Sequence, residues 1–107
     1  MSDLKFDVLP EVRDVDLQSI NDYYESFGST LPELFLYKLE NTLAHIRANP
    51  QLNRTVFGEY RRAYLFQTNY FLAYHTNSSR TIVLALLSGL RDPNYNESVI
   101  QHRSNQA

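Results

Sequence analysis

The sequence has no cysteine among its 107 residues. It can therefore form no disulfide, no zinc–thiolate site and no thiol nucleophile, and this absence fits a cytosolic protein. The longest strongly apolar run, Ile82 to Leu87, is far too short to cross a bilayer. The beginning, MSDLKFDV, has no basic segment followed by an apolar one, so we expect no signal peptide. These absences predict a cytoplasmic protein without a membrane partner.

The common motifs of cofactor and metal chemistry are also missing. The chain has no phosphate loop, no dinucleotide fingerprint and no nucleophile elbow. Its three histidines, His45, His75 and His102, show no metal-ligand spacing. We therefore expect no cofactor and no metal, and any catalysis would depend on ordinary acid–base and cationic side chains.

The charge is distributed unevenly between the two halves of the chain. Residues 1–53 carry four basic and nine acidic residues, whereas residues 54–107 carry six arginines, no lysine and three acids. The second half is therefore basic, and only through arginine, whose planar fork binds carboxylates and phosphates in a way that lysine cannot copy. A dipolar surface without a partner and a cationic face for an acidic partner or a nucleic acid both fit this pattern.

The first half predicts one strand and two helices. Leu4, Phe6 and Val8 alternate with polar residues and indicate a short first strand. Two helical patterns follow, with Gly28 ending the first and a Thr30/Glu33 capping box beginning the second. The short connection between them predicts an antiparallel helix hairpin. The apolar positions of these helices are Leu17, Ile20, Tyr24, Phe27, Leu31, Phe35, Leu39, Thr42 or Leu43, and Ile46.

The second half is rich in strand formers and predicts a meander of three or four strands. The stretch TIVLALL is apolar on both faces, so we expect it to be a central or helix-covered strand. The predicted class is α+β, with the helix hairpin on one face of a mostly antiparallel sheet and the other face left open. We expect one domain at residues 1–93, followed by a polar, frayed tail at 94–107.

The aromatic stretch from Tyr60 to Thr76 can be divided by the alternation of a strand. This alternation places Arg61 on one face with Ala63 and Leu65, and Arg62 on the other with Tyr60, Tyr64 and Phe66. In the next strand it separates Tyr70, Leu72 and Tyr74 from Phe71, Ala73 and His75. The arginine that faces away from the helices is the better functional candidate. The structural alternative for both arginines is an ion pair with Glu25 or Glu40.

The order of elements, together with several motifs, resembles the RelE/ParE superfamily of bacterial toxins from toxin–antitoxin modules. RRAYLFQTNYFLAY is similar to the family's paired arginine followed by an aromatic hairpin, here Arg61, Arg62, Tyr70, Leu72 and Tyr74. TIVLALLSGLRDPNY is similar to its last strand and Arg-x-Pro stretch, here Arg91, Asp92 and Pro93. The resemblance covers most of the chain, from the first strand to about Tyr95.

This resemblance implies a toxin that a cognate antitoxin holds inactive, with an acidic antitoxin tail suited to the arginine-only half. ParE-like members poison DNA gyrase by protein contact, and the residues that would bind target or antitoxin are Arg61, Arg62, Arg91 and Tyr95. RelE-like members instead cleave mRNA on the ribosome without metal, and the corresponding set here is Arg61, Arg62, Tyr74, His75 and Arg91.

Two positions and the overall charge favour the ParE-like branch. Many relatives have His where Ser88 stands and Trp where Asn96 stands, and Ser88 removes one acid–base group after the last strand. A pI near 5.8 is low for a protein that enters the RNA-lined ribosome. A non-toxic interaction module of the same fold is a third alternative, and homodimerisation through the helix hairpin or an edge strand stays open.

Overall fold

The computed structural model describes residues 5–107 of the chain. Its strands are β1 (Lys5–Val8), β2 (Arg61–Tyr64), β3 (Tyr70–Thr76) and β4 (Arg80–Ser88). Its helices are α1, which begins as a π-helix (Val12–Leu17) and continues as an α-helix (Gln18–Ser26), α2 (Glu33–Ala48) and α3 (Pro93–Gln106). The predicted α+β class is confirmed. Residues 1–4, which include Leu4 of the predicted strand and the start of the segment examined for a signal peptide, lie outside the described residues.

The four strands form one mixed sheet in the order β1-β4-β3-β2. The strands β2, β3 and β4 make the predicted antiparallel meander, and β1 pairs in parallel with β4. The central position of β4 is confirmed, since Thr81 to Leu87 are all buried. β1 is much shorter than β4 and its register ends where Val8 pairs with Val83. The remaining part of β4 therefore has no neighbouring strand on the β1 side among the described residues.

The helix hairpin packs on one face of the sheet. The core on this side contains Leu39, Leu43 and Ile46 of α2 together with Leu72 and Tyr74 of β3. The predicted apolar face of α2 is thus confirmed. Gly28, with φ of 75°, lies just beyond the end of α1 as predicted, because a residue without Cβ adopts this left-handed conformation at little cost.

The predicted capping box at the start of α2 is wrong. The helix begins at Glu33, and the residue before it, Pro32, is extended with ψ of 140° and makes no side-chain cap. Thr30 therefore lies outside the position from which its hydroxyl would reach the first free N–H groups of the helix.

The second face of the sheet is covered by α3, which corrects the expectation of an open face and a frayed tail. A second core packs Phe71, Leu84 and Leu87 of the sheet against Ile100 of α3. Asp92 begins the helix, because its Oδ1 accepts from the backbone N–H of Asn94 at 2.9 Å and Pro93 occupies the first turn. The segment is polar as predicted but helical. Its buried positions are Asn96, Ile100 and Arg103, so a hydrophobicity pattern alone does not reveal the face that packs.

Candidate functional site

The four predicted binding residues lie in two separate places. Arg61 and Arg62 are on the edge strand β2 and point to opposite faces of the sheet, as the alternation predicted. Arg91 follows the end of β4, and Tyr95 lies in the first turns of α3. The structure therefore brings Arg91 and Tyr95 together and leaves each β2 arginine in its own environment.

Arg61 fastens the loop that follows α2. Its Nη1 donates to the carbonyl oxygens of Gln51, at 3.2 Å, and Asn53, at 2.5 Å. Its Nη2 also donates to Oε1 of Gln51 at 3.3 Å. The Arg61 guanidinium thus binds this loop on the side of the helix hairpin, and these contacts give Arg61 a structural role.

Arg62 faces away from the helix hairpin and lies against aromatic rings. Its Cζ is 5.0 Å from the ring centroid of Tyr64 and 5.6 Å from that of Phe71. The predicted alternative of ion pairs with Glu25 or Glu40 is wrong, since Glu40 instead binds Arg13 at 2.7 Å. Among residues 5–107, Arg62 has no ion pair, and the contacts of its guanidinium are with the faces of these two rings.

Arg91 and Tyr95 line a cavity at the end of β4. The Cζ of Arg91 lies 4.4 Å from the centroid of the Tyr95 ring. The cavity has a volume of about 330 Å³ and lies between α1, β4 and α3, open to solvent on one side. Aliphatic and tyrosine side chains form most of its wall, and the hydroxyl-bearing residues Ser19 and Ser88 also line it.

A buried ion pair between Asp16 and Arg103 forms one side of this cavity. Arg103 donates through Nη1 to Oδ2 of Asp16 at 2.5 Å and through Nη2 to Oδ1 at 2.7 Å. Both side chains are at most one-tenth exposed. Hydrogen bonding to Asp16 raises the pKa of the Arg103 guanidinium, although burial acts in the opposite direction. The two helices α1 and α3, which lie on opposite faces of the sheet, are thereby joined.

The same ion pair forms hydrogen bonds with backbone groups in the part of β4 that β1 does not reach. The backbone N–H of Leu86 donates to Oδ2 of Asp16 at 2.8 Å, and Nη1 of Arg103 donates to the carbonyl of Leu84 at 3.1 Å. These are the groups that a longer β1 would have paired. The strand register shifts at this point between Ala73 and Tyr74 of β3. A carboxylate and a guanidinium thus take the place of a neighbouring strand.

Tyr70 closes the cavity from the sheet side. Its ring packs edge to face against Phe35, with 5.4 Å between centroids. Burial raises the pKa of the Tyr70 hydroxyl, helped by the nearby Tyr24 and Tyr23 and opposed by Arg91. The hydroxyl is therefore protonated at neutral pH and available as a hydrogen-bond donor.

The residues proposed for ribonuclease chemistry do not converge. The Tyr74 side chain is buried, and its hydroxyl donates to the carbonyl of Pro50 at 2.8 Å and accepts from Asn53 at 3.1 Å. His75 lies at the opposite end of β3 from Tyr70, with Nε2 3.6 Å from the Glu59 carboxylate. Neither residue lines the cavity that contains Arg91.

The two positions where the sequence departs from the family pattern contact each other. Nδ2 of Asn96 donates to the carbonyl oxygen of Ser88 at 3.0 Å, and Asn96 is buried. The Asn96 Oδ1 has no hydrogen-bond partner among the described residues. Asn96 thus links the end of β4 to α3 through its amide nitrogen.

Sequence reasoning did not identify Asp16 and Arg103. No pattern singled out Asp16, and Arg103 falls within the predicted polar tail at 94–107. The available signal was the spacing of Asn96, Ile100 and Arg103, which places all three on one helical face. Within the described part of the chain, no cluster of three or more histidine or acidic side chains could hold a metal ion, and no helix is long and apolar enough to span a membrane.

Comparison with known protein families gives one match. A family model described as the ParE toxin of the type II toxin–antitoxin system parDE matches residues 14–93, which is more than half of the chain. A comparison with curated proteins found no match. The matched range includes α2, all of β2, β3 and β4, and Arg91, and it ends at the first residue of α3.

Proposed function

Because the chain belongs to the ParE toxins of type II toxin–antitoxin systems, we propose that it inhibits DNA gyrase by protein–protein contact and that a cognate antitoxin neutralises it. The family match carries this proposal. On this proposal the chain is a cytoplasmic growth inhibitor of the kind that supports plasmid stabilisation. Toxins of this type pair with an antitoxin, whereas gyrase as the target is our own inference.

The choice of gyrase over mRNA is supported by the positions of the proton-transfer candidates. A metal-independent ribonuclease needs a base, an acid and phosphate-stabilising cations around one reacting phosphate. Tyr74 is buried and bound to Pro50, and His75 lies away from Arg91. In contrast, a contact surface needs only accessible side chains. Arg91 and Tyr95 are exposed, and Arg62 is partly exposed.

A groove between α2 and the edge strand β2 is suited to the antitoxin. It has a volume of about 600 Å³ and is lined by Leu34, Tyr37 and Phe66, which are 59%, 64% and 71% exposed. Exposed apolar side chains beside an edge strand favour an extended or helical partner segment. Covering this groove would remove apolar surface from water.

The proposal can be tested by tightly regulated expression of the chain in bacteria. We expect growth arrest with DNA breaks and intact messages, and inhibition of supercoiling when the purified chain is added to gyrase. The variants Arg62→Gln and Arg91→Gln should weaken both effects. Arg54→Gln, which removes an exposed charge from the loop before β2, is the matched control.

Two outcomes would reject the proposal. Arrest with mRNA cuts positioned by codon and no DNA breaks would establish a ribosome-dependent ribonuclease. Absence of arrest, with a tight complex to a small protein, would establish an interaction module.

A further inference from the structure

The cavity at the end of β4 combines an exposed arginine with exposed apolar side chains. Arg91 is exposed at its wall and, among residues 5–107, forms no ion pair. Around it stand Val15, Tyr23 and Tyr95, whose side chains are about half exposed despite their apolar character. One free cation beside exposed apolar surface suggests a ligand that carries both a negative charge and an apolar group.

The charges around the cavity favour a single carboxylate over a nucleic acid. The other cation in the wall, Arg103, is occupied by Asp16 and by the carbonyl of Leu84. Asp16 itself adds an acidic side chain to the wall, and Glu11 lies close enough to Arg103 to affect its pKa. A nucleic acid strand brings a phosphate with every nucleotide and needs several cations, whereas one carboxylate needs one arginine fork.

The hydrogen-bonding groups of the cavity fit the same ligand. The Tyr70 hydroxyl is protonated, and Ser19 and Ser88 line the same wall. They can bind the backbone of a peptide whose acidic side chain lies on Arg91. The aliphatic wall, with Val15 and Val99, then receives a neighbouring apolar side chain.

We propose that this cavity binds a segment of a partner polypeptide in which an aspartate or glutamate stands next to an apolar residue, with the carboxylate on Arg91. The inference rests on the proposed function only in naming the antitoxin, with its acidic tail, as the bearer of this segment. It assigns to the antitoxin a second contact, separate from the groove between α2 and β2.

The test is an NMR titration of the isotope-labelled full chain with two capped hexapeptides, acetyl-Ala-Ala-Glu-Leu-Ala-Ala-amide and its glutamine analogue, at millimolar concentration. We expect the glutamate peptide to shift the backbone amides of Ser88, Arg91 and Tyr95. The glutamine peptide should bind about tenfold more weakly, which corresponds to the loss of one charge-assisted hydrogen bond. Arg91→Gln should remove this difference, and Arg54→Gln should preserve it.

The proposal would be overturned by equal affinity for the two peptides, by shifts elsewhere, or by no shifts at these amides. A thymidine tetranucleotide serves as a third probe. If it shifted the same amides more strongly than the glutamate peptide, the cavity would be a nucleic-acid site. The titration requires neither gyrase nor growth arrest, so a positive result in a non-toxic chain would reject the proposed function and keep this inference.

Discussion

Replacement of Arg103 by methionine tests whether the buried ion pair holds the two sides of the sheet together. The change leaves the Asp16 carboxylate, only 7% exposed, with the Leu86 N–H as its single observed donor. It also removes a donor from the carbonyl of Leu84. Breaking a buried pair by removing one partner costs about 3–5 kcal/mol, a large part of the roughly 5–15 kcal/mol that stabilises a domain of this size.

The chain offers a matched control in the exposed pair Arg80–Asp7. Its Nε–Oδ2 distance is 3.0 Å, but the two side chains are 42% and 50% exposed. Arg80→Met should therefore lower the free energy of unfolding by only about 0–1 kcal/mol, because water already screens this pair.

A double variant separates the charge from the backbone contacts. Asp16→Leu combined with Arg103→Met removes both charges but leaves the Leu86 N–H and the Leu84 carbonyl without side-chain partners. Each such buried group costs about 1–3 kcal/mol, so the double variant should stay well below the wild type in stability. Full recovery would mean that the pair does not replace a neighbouring strand.

The free energies can be measured by urea unfolding, followed by far-ultraviolet circular dichroism. Tyrosine fluorescence is a second probe, because the chain has eight tyrosines and no tryptophan. Agreement of the two probes would support two-state analysis. If the free energies of unfolding of Arg103→Met and Arg80→Met differ by less than about 1 kcal/mol, the buried pair contributes no more than an exposed pair does, and it does not hold the two sides of the sheet together. Should Arg103→Met be too unstable to purify, Arg103→Lys, which keeps the charge but loses the fork, should show an intermediate loss.

Three further predictions concern β2 and β3. Tyr74→Phe should lower the free energy of unfolding by about 1 kcal/mol, through its lost bond to Pro50, while growth inhibition persists; loss of toxicity in a folded Tyr74→Phe chain would favour the ribonuclease. Arg61→Gln should lower the free energy of unfolding by about 1.5–3 kcal/mol, because the charged donors of Arg61 hold the loop after α2. Arg62→Gln should change it by less than about 1 kcal/mol. Equal losses for the two variants in urea unfolding would contradict the structural role of Arg61. The pKa of Tyr70 is raised in the folded chain, so above about pH 10 the unfolded tyrosine ionises first and the free energy of unfolding should fall. Tyr70→Phe should lose less free energy of unfolding over the same pH range, as measured by urea unfolding.

The elements with regular apolar patterns were predictable from the sequence. Leu39, Leu43 and Ile46 lie on one helical face, and the run from Ile82 to Leu87 is buried at the centre of the sheet. Local patterns suffice here because each side chain's environment follows from the period of its own element.

The C-terminal helix and the ion pair could not be predicted in the same way. The buried face of α3 includes Asn96 and Arg103, so it reads as polar until their partners are known. Those partners, Ser88 and Asp16, lie in other elements, and Arg103 and Asp16 are 87 positions apart. Hydrophobic periodicity contains no information on such a pair. Similarly, strand alternation predicted that Arg61 and Arg62 face opposite sides of the sheet, but it could not predict that the Arg61 guanidinium binds the carbonyl oxygens of Gln51 and Asn53, because the sequence does not locate that loop.

The parallel pairing of β1 with β4 has a consequence for the order in which the chain folds. Lys5 pairs with Arg80, and Asp16 binds Arg103, so the first and last elements depend on each other. Contacts between distant positions form late, because the intervening chain must first be closed into a loop. During synthesis, therefore, a nascent chain that still lacks α3 has neither the complete second core nor the cavity at the end of β4. The surface around Arg91 and Tyr95 forms only after α3 has left the ribosome.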